Sequence, residues 1–111
     1  MAEYLQVTTT TDQREDADRL ARSAVEARLA ACAQVSGPLA STYRWQGTVE
    51  TAGEWRVVFK TAADRYDALA AHLREQHSYE LPEVIATPIV AGSAEYLDWV
   101  REQTRGDVPR D

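Results

Sequence analysis

Ser41-Thr-Tyr-Arg-Trp-Gln-Gly-Thr-Val-Glu-Thr-Ala-Gly-Glu-Trp-Arg-Val-Val-Phe-Lys-Thr61 is the stretch that decides the fold. Two runs rich in β-branched and aromatic residues flank Gln46-Gly47, a pair suited to a tight turn. The stretch therefore predicts a β-hairpin with arms Ser41 to Trp45 and Thr48 to Thr61. Alternation along the second arm puts Trp55, Val57 and Phe59 on one face, with Val58 and Lys60 on the other. Gly53 is the expected place for a bulge or bend. From Thr48 to Lys60 the arm has 13 residues, which at 3.3 Å each span about 43 Å. A compact chain of this length has a radius of gyration of roughly 13–14 Å. An arm that long either bends at Gly53 or overhangs its own domain, and an overhanging edge needs a partner strand. Another subunit is the natural supplier.

Working outward, Tyr4-Leu-Gln-Val7 and the Thr run after it read as a first strand. Asp12 with Glu15 three residues on resembles a capping box, and Ala17, Leu20, Ala21, Ala24 and Ala31 carry helical spacing to about Ala30. Ser36-Gly37-Pro38 interrupts the extended stretch that leads into the hairpin. Downstream, Asp64 is placed to cap a second helix with Tyr66, Leu69, Ala70 and Leu73 on one stripe. Val84 to Val90 reads as a fourth strand, where Pro88 implies an edge or a bend. Ser93 caps a last helix with Tyr96, Leu97 and Val100 facing inward, ended by Gly106. The order β-α-β-β-α-β-α predicts an α+β, ferredoxin-like fold with one appended helix. Residues 1–111 form one domain, of which 106–111 are a polar tail.

Composition removes several functions. The net charge is −6 and the basic residues are scattered, so a nucleic-acid partner is not expected. No apolar run approaches the ~18 residues of a membrane span, and the opening residues do not read as a leader, so no membrane partner is expected. The single Cys32 makes no intrachain disulfide and fits a reducing compartment; the expected location is cytoplasmic. There is no phosphate-binding glycine loop, no dinucleotide fingerprint, no His-Glu-x-x-His, no Cys-x-x-Cys and no Gly-x-Ser-x-Gly. With no base, nucleophile or oxyanion device identifiable, catalysis is not expected and no cofactor is required.

Three phrases occur in order: Arg28-Leu-Ala-Ala-Cys32, then Tyr43-Arg-Trp-Gln-Gly47 running on to Phe59-Lys60-Thr61, then His77-Ser-Tyr-Glu-Leu-Pro-Glu83 leading to Tyr96-Leu-Asp-Trp99. In this order and spacing the chain resembles the CutA family of divalent-cation tolerance proteins, from Tyr4 to about Thr104. The resemblance implies a ferredoxin-like homotrimer in which the long hairpin pairs across subunits, and a role in the response to metal ions. It also implies a ligand-binding cleft between subunits, with Trp45, Glu50, Lys60, Tyr79 and Glu83 around it. An aromatic floor, one ammonium and two carboxylates suit a small zwitterionic or anionic molecule. The same five residues also suit interface ion pairs and an aromatic anchor. CutA trimers are similar in architecture to the PII signal transducers, which bind small molecules in intersubunit clefts.

For metal, the copper site proposed in bacterial members combines a first-strand Cys with two adjacent His. Here Thr8 and Gln76 stand at two of those places and His77 at the third, which implies weak binding of Cu²⁺ or another divalent cation. Cys32 is a further thiolate candidate only where its sulfur reaches the same ion, at about 2.3 Å. Otherwise it reads as a small buried hydrophobe, and His77 as a helix-end residue.

Overall fold

A computed structural model describes residues 2–105. Eight elements follow one another: β1 (Tyr4–Thr11), α1 (Arg14–Glu26), β2 (Cys32–Trp45), β3 (Thr48–Ala62), a single 3-10 turn (Ala63–Arg65), α2 (Tyr66–Gln76), β4 (Ile85–Pro88) and α3 (Ala94–Gln103). The sheet order β2-β3-β1-β4, antiparallel throughout, is the ferredoxin-like arrangement, with α3 added. The expected fold class holds. Among the described residues, both edges, β2 and β4, have one side without a partner strand. Pro88 ends β4, an edge strand, as its missing N–H requires.

The two faces of the sheet are unequal. Val7, Val57 and Phe59 point to the side of α1 and α2, where they meet Ala17, Leu20, Ala24, Leu69 and Leu73; all eight are fully buried. Thr61 on this face donates its hydroxyl proton to the Leu29 carbonyl, 2.7 Å away. Trp55 is half-buried here beneath the Arg14 guanidinium. So the Trp55/Val57/Phe59 face is closed by the chain's own helices. On the other side α3 covers one end, packing Leu97 and Val100 against Tyr4, Ala31 and Ile89. Beyond it Gln6, Thr8, Val58 and Ile85 share a face by register. Ile85 there is 53% exposed.

The hairpin is longer than its domain is wide. β2 has 14 residues and β3 has 15, and the molecule extends 51 × 28 × 21 Å. The arm overhangs rather than folding back. Its turn is the expected one: Gln46 and Gly47 both have positive φ (50° and 85°), as a tight hairpin turn with matching twist demands. The irregularity expected at Gly53 is elsewhere. Gly53 pairs regularly with Ala40, and the register shifts between Ser36 and Leu39 on β2. Ser36 faces Arg56 while Leu39 faces Glu54, so β2 spends three residues where β3 spends two. Gly37 at this point has φ +148°, and a Cβ there would stand 2.8 Å from the Trp55 ring and 3.0 Å from the Glu54 carbonyl oxygen.

Helix boundaries differ at three places. Gln13, not Asp12, is the N-cap of α1, and it makes no side-chain capping bond; instead its carbonyl accepts from the Thr11 hydroxyl. α1 ends at Glu26, because Arg28 turns the chain with φ 61° and the Leu29 and Ala30 amides both return to the Ala24 carbonyl. Leu29 and Ala30 stay buried past the helix end, which prolongs the apolar spacing without prolonging the helix. Asp64 sits in the 3-10 turn and caps nothing; its carboxylate takes both terminal nitrogens of the Arg105 guanidinium, at 2.9 and 3.1 Å. That pairing holds the Asp64 carboxyl below its ordinary pKa. Of the third helix, Ser93 does cap, accepting from the Tyr96 amide, and Val100 is buried, but Tyr96 is exposed. The expected stop at Gly106 and the 106–111 tail lie outside the described residues.

Candidate functional site

The extra residue on β2 changes which side chains meet. Before it, the even-numbered Cys32, Gln34 and Ser36 share the face of Arg56, Val58 and Lys60. After it the odd-numbered residues take over: Tyr43 faces Glu50 and Leu39 faces Glu54. A one-residue slip exchanges the faces of a strand. Tyr43 and Trp45 thereby join Glu50 and Glu54 on one side of the hairpin, instead of pointing to opposite sides.

Across from that side lies the segment after α2, from His77 to Val84, which has no regular structure. It is fastened at its start. The His77 Nδ1 accepts the Tyr79 amide hydrogen (3.0 Å), so its proton resides on Nε2, which donates to the Thr10 carbonyl (2.8 Å). The His77 and Tyr79 rings lie 4.8 Å apart between centroids. The Tyr79 hydroxyl then reaches back to the hairpin and donates to Glu54 Oε2 at 2.8 Å. Burial and the Glu54 carboxylate together hold the Tyr79 phenol protonated far above the usual phenol range. Desolvation lowers the His77 pKa, partly opposed by the Thr10 carbonyl and Asp16.

Between hairpin and segment is an open cleft of about 810 Å³. Trp45, Glu50, Tyr79 and Glu83 all line it, as do Tyr43, Glu54, Glu80, Leu81 and Pro82. Four of the five expected cleft residues are thus brought together by one chain. Lys60 is not among them. It lies toward the start of the hairpin, opposite Cys32, and its ammonium donates to Gln34 Oε1 at 2.8 Å. No salt bridge joins Lys60 to Glu50 or Glu83 among the described residues.

The two metal candidates do not meet within the chain. His77 is tied to Thr10, whereas Cys32 is level with Lys60 and, through it, with Gln6. Thr10 and Gln6 are four residues apart along β1, roughly 13 Å. Cys32 instead contacts the Tyr96 hydroxyl, Sγ to Oη 3.5 Å, and this contact pushes the Tyr96 phenol up to about 12. No group of three or more His, Cys, Asp or Glu side chains is placed to hold one metal ion among the described residues.

Glu54, Glu80 and Tyr43 were not expected in the cleft. Glu54 carried a usable signal, since it is four residues from Glu50 on the same strand and so on the same face. The role of His77 in fastening the cleft wall carried none, because its partner Thr10 is 67 residues away.

Residues 5–103 match the family described as CutA1 divalent ion tolerance protein. "Protein CutA 1, chloroplastic" of Oryza sativa subsp. japonica is 40% identical over 96 residues, 86% of this chain and 54% of that protein. The chain therefore spans about half the length of that plant relative. "Divalent-cation tolerance protein CutA" of Thermus thermophilus is 41% identical over 95 residues, covering 86% of this chain and 92% of the relative. Among solved structures, CutA from Xylella fastidiosa superposes with a TM-score of 0.90 at 35% identity, over 93% of this chain and 99% of that one. No described helix is long and apolar enough to cross a membrane.

Proposed function

The chain belongs to the CutA1 divalent ion tolerance family, and we propose that it serves in the response to divalent metal ions as a homotrimer that binds a small molecule in its cleft. The observation that carries this reading is the gathering of Trp45, Glu50, Tyr79 and Glu83 around one cleft by a register shift and a fastened loop. Both devices constrain exposed residues that contribute little to the core. Binding fits the site better than catalysis. Tyr79 is held as a proton donor, and the His77 imidazole has both nitrogens in hydrogen bonds, so neither is free to act as a base.

Assembly is supported by the overhanging hairpin, the two unpaired sheet edges and the partly covered second face. β2 of one copy pairing with a neighbour would shelter the edge that this chain leaves open. Among oligomers the resemblance favours three copies, and the lone thiol favours a reducing, cytoplasmic setting.

Direct divalent-ion binding at His77 is the weaker component of the proposal. Coordination at either nitrogen gives up the Tyr79 amide or the Thr10 carbonyl, so Cu²⁺ binds weakly and without Cys32 from the same chain. Native mass spectrometry of cell-purified protein tests the main reading, because it counts subunits and retained small molecules together. Three chains with a bound mass that is lost in Trp45→Ala are expected. A monomer, or a retained mass indifferent to Trp45, would overturn it. Calorimetry with Cu²⁺ on wild type and His77→Ala tests the metal component, and identical isotherms would remove His77.

A further inference from the structure

We infer that the cleft takes an extended organic polycation, a linear di- or polyamine, rather than an anion or a single metal ion. This rests on the reading of the cleft as a binding site. The first argument is sign. Glu50, Glu54, Glu80 and Glu83 line the cleft, and among the described residues of the chain no Lys, Arg or His does. The ammonium that would have admitted an anion, Lys60, is held by Gln34 elsewhere on the hairpin. The chain's net charge of −6 adds long-range attraction in the same direction.

The second argument is spacing. Glu50 and Glu54 are four residues apart on one face of β3, roughly 13 Å between their backbones. Glu80 and Glu83 come from the opposing segment. A hard cation draws its oxygen ligands to about 2.0–2.6 Å. Carboxylates strung along two walls do not converge in that way, and no triad among the described residues is placed around one point. Cationic groups separated by a chain match them.

The third argument is what lies between the carboxylates. Tyr43, Trp45, Leu81 and Pro82 present apolar surface there, and Trp45 is 43% exposed. Aromatic faces attract ammonium groups within about 6 Å of the ring. The methylene links of a polyamine would pack on the same surface. A volume of about 810 Å³ suits such a ligand and is far larger than an ion requires. Glu54 also keeps a free oxygen, since Tyr79 occupies only Oε2.

The test is calorimetry on the intact, purified protein with spermine, 1,4-diaminobutane, Mg²⁺ and succinate, read alongside NMR shifts of the Trp45 indole. Spermine is expected to bind saturably, more tightly than the diamine, and to weaken as salt rises. Glu50→Gln and Glu83→Gln should each weaken it roughly threefold to tenfold. Trp45→Ala should weaken it severalfold while Trp45→Phe retains binding. Glu3→Gln, at a carboxylate paired with Arg101 away from the cleft, should leave it unchanged. Equal losses from Glu3→Gln would reduce the effect to diffuse attraction and overturn the inference. Mg²⁺ displacing spermine at the indole would also overturn it, in favour of a metal. Succinate shifting the indole where spermine does not would overturn the polycation class and leave the cleft standing. No shift from any probe would remove both.

Discussion

The long hairpin is two structures joined at Gly37. In its first half, from Cys32 to Ser36 against Arg56 to Lys60, one face is sealed under α1 and α2, and Val57 and Phe59 are fully buried. In its far half, from Leu39 to Glu54, the ladder of paired residues continues but no described helix covers either face. Aromatic and apolar residues persist there: Tyr43, Trp45 and Val49 are all more than 40% exposed. Identical backbone pairing thus serves two ends. The near half is specified by burial in this chain, and the far half is not. Apolar side chains that no local core requires are available for a ligand or another subunit.

The sharpest way to break this contrast is to truncate one residue in each half. Phe59→Ala removes the largest fully buried side chain and should cost about 3–5 kcal/mol in urea unfolding. Trp45→Ala in the far half should leave the unfolding midpoint of the isolated fold nearly unchanged. A large stability loss at Trp45 without any change in assembly would erase the distinction.

The joint itself comes next in size. Gly37→Ala sets a Cβ against the Glu54 carbonyl oxygen and the Trp55 ring in a backbone region unsuited to a side chain. A cost of about 1–3 kcal/mol is expected. The more telling outcome concerns the far half alone. If the bulge relaxes, β2 slips by a residue, Tyr43 and Trp45 exchange faces, and Tyr79 loses its place beside Glu54. Trp45 indole and Tyr79 amide shifts would report that rearrangement, while core methyl shifts at Val57 stay fixed.

Much of the hairpin was legible in the sequence. Alternation at Trp55, Val57 and Phe59 and the Gln46-Gly47 turn define the hairpin, because local sterics and a single buried face act on consecutive residues. Gly53 misled for a physical reason. A glycine in a strand permits a bend, but a bend occurs where the two strands differ in residue count, and that difference lies on β2 at Gly37. The cleft was legible in part, since Trp45, Glu50, Tyr79 and Glu83 do converge. The resemblance put Lys60 around a cleft between subunits; within one chain it sits ten residues beyond Glu50, roughly 33 Å along the strand. The His77 clip depends on contacts distant in sequence, and no local pattern encodes those.

Assembly offers a smaller test of the same contrast. A charge at Val57 should unfold the chain, since that face is sealed by its own helices. Ile85→Asp, on the open second face, should instead weaken association and leave the monomer folded. Loss of that apolar contact is worth about 1–2 kcal/mol per subunit. Sedimentation at micromolar concentration should show lighter particles with unaltered circular dichroism. Unchanged particle size would mean that Ile85 remains open to solvent in the assembly.

The smallest effect is the dependence of the cleft wall on pH. His77 is neutral in the fold, with Nδ1 accepting the Tyr79 amide hydrogen, and desolvation lowers its pKa from 6.5, the Arg19 charge adding to this and Thr10, Asp16 and Asp12 opposing it. The folded form therefore binds protons less readily than the unfolded chain. Its contribution to stability is complete above about 6.5 and declines as pH falls from there through the lowered folded value. Protonation at Nδ1 sets two N–H groups against each other and releases the Tyr79 amide, which loosens the segment bearing Tyr79, Glu80 and Glu83. Hydrogen exchange at the Tyr79 amide, compared with intrinsic rates, should accelerate across that window. Amides of the near half, at Val57 and Phe59, should keep their protection. In His77→Gln the Tyr79 exchange should be fast at every pH and lose this step. A wild-type Tyr79 amide protected equally at pH 5 and pH 7 would show that the imidazole does not hold the wall.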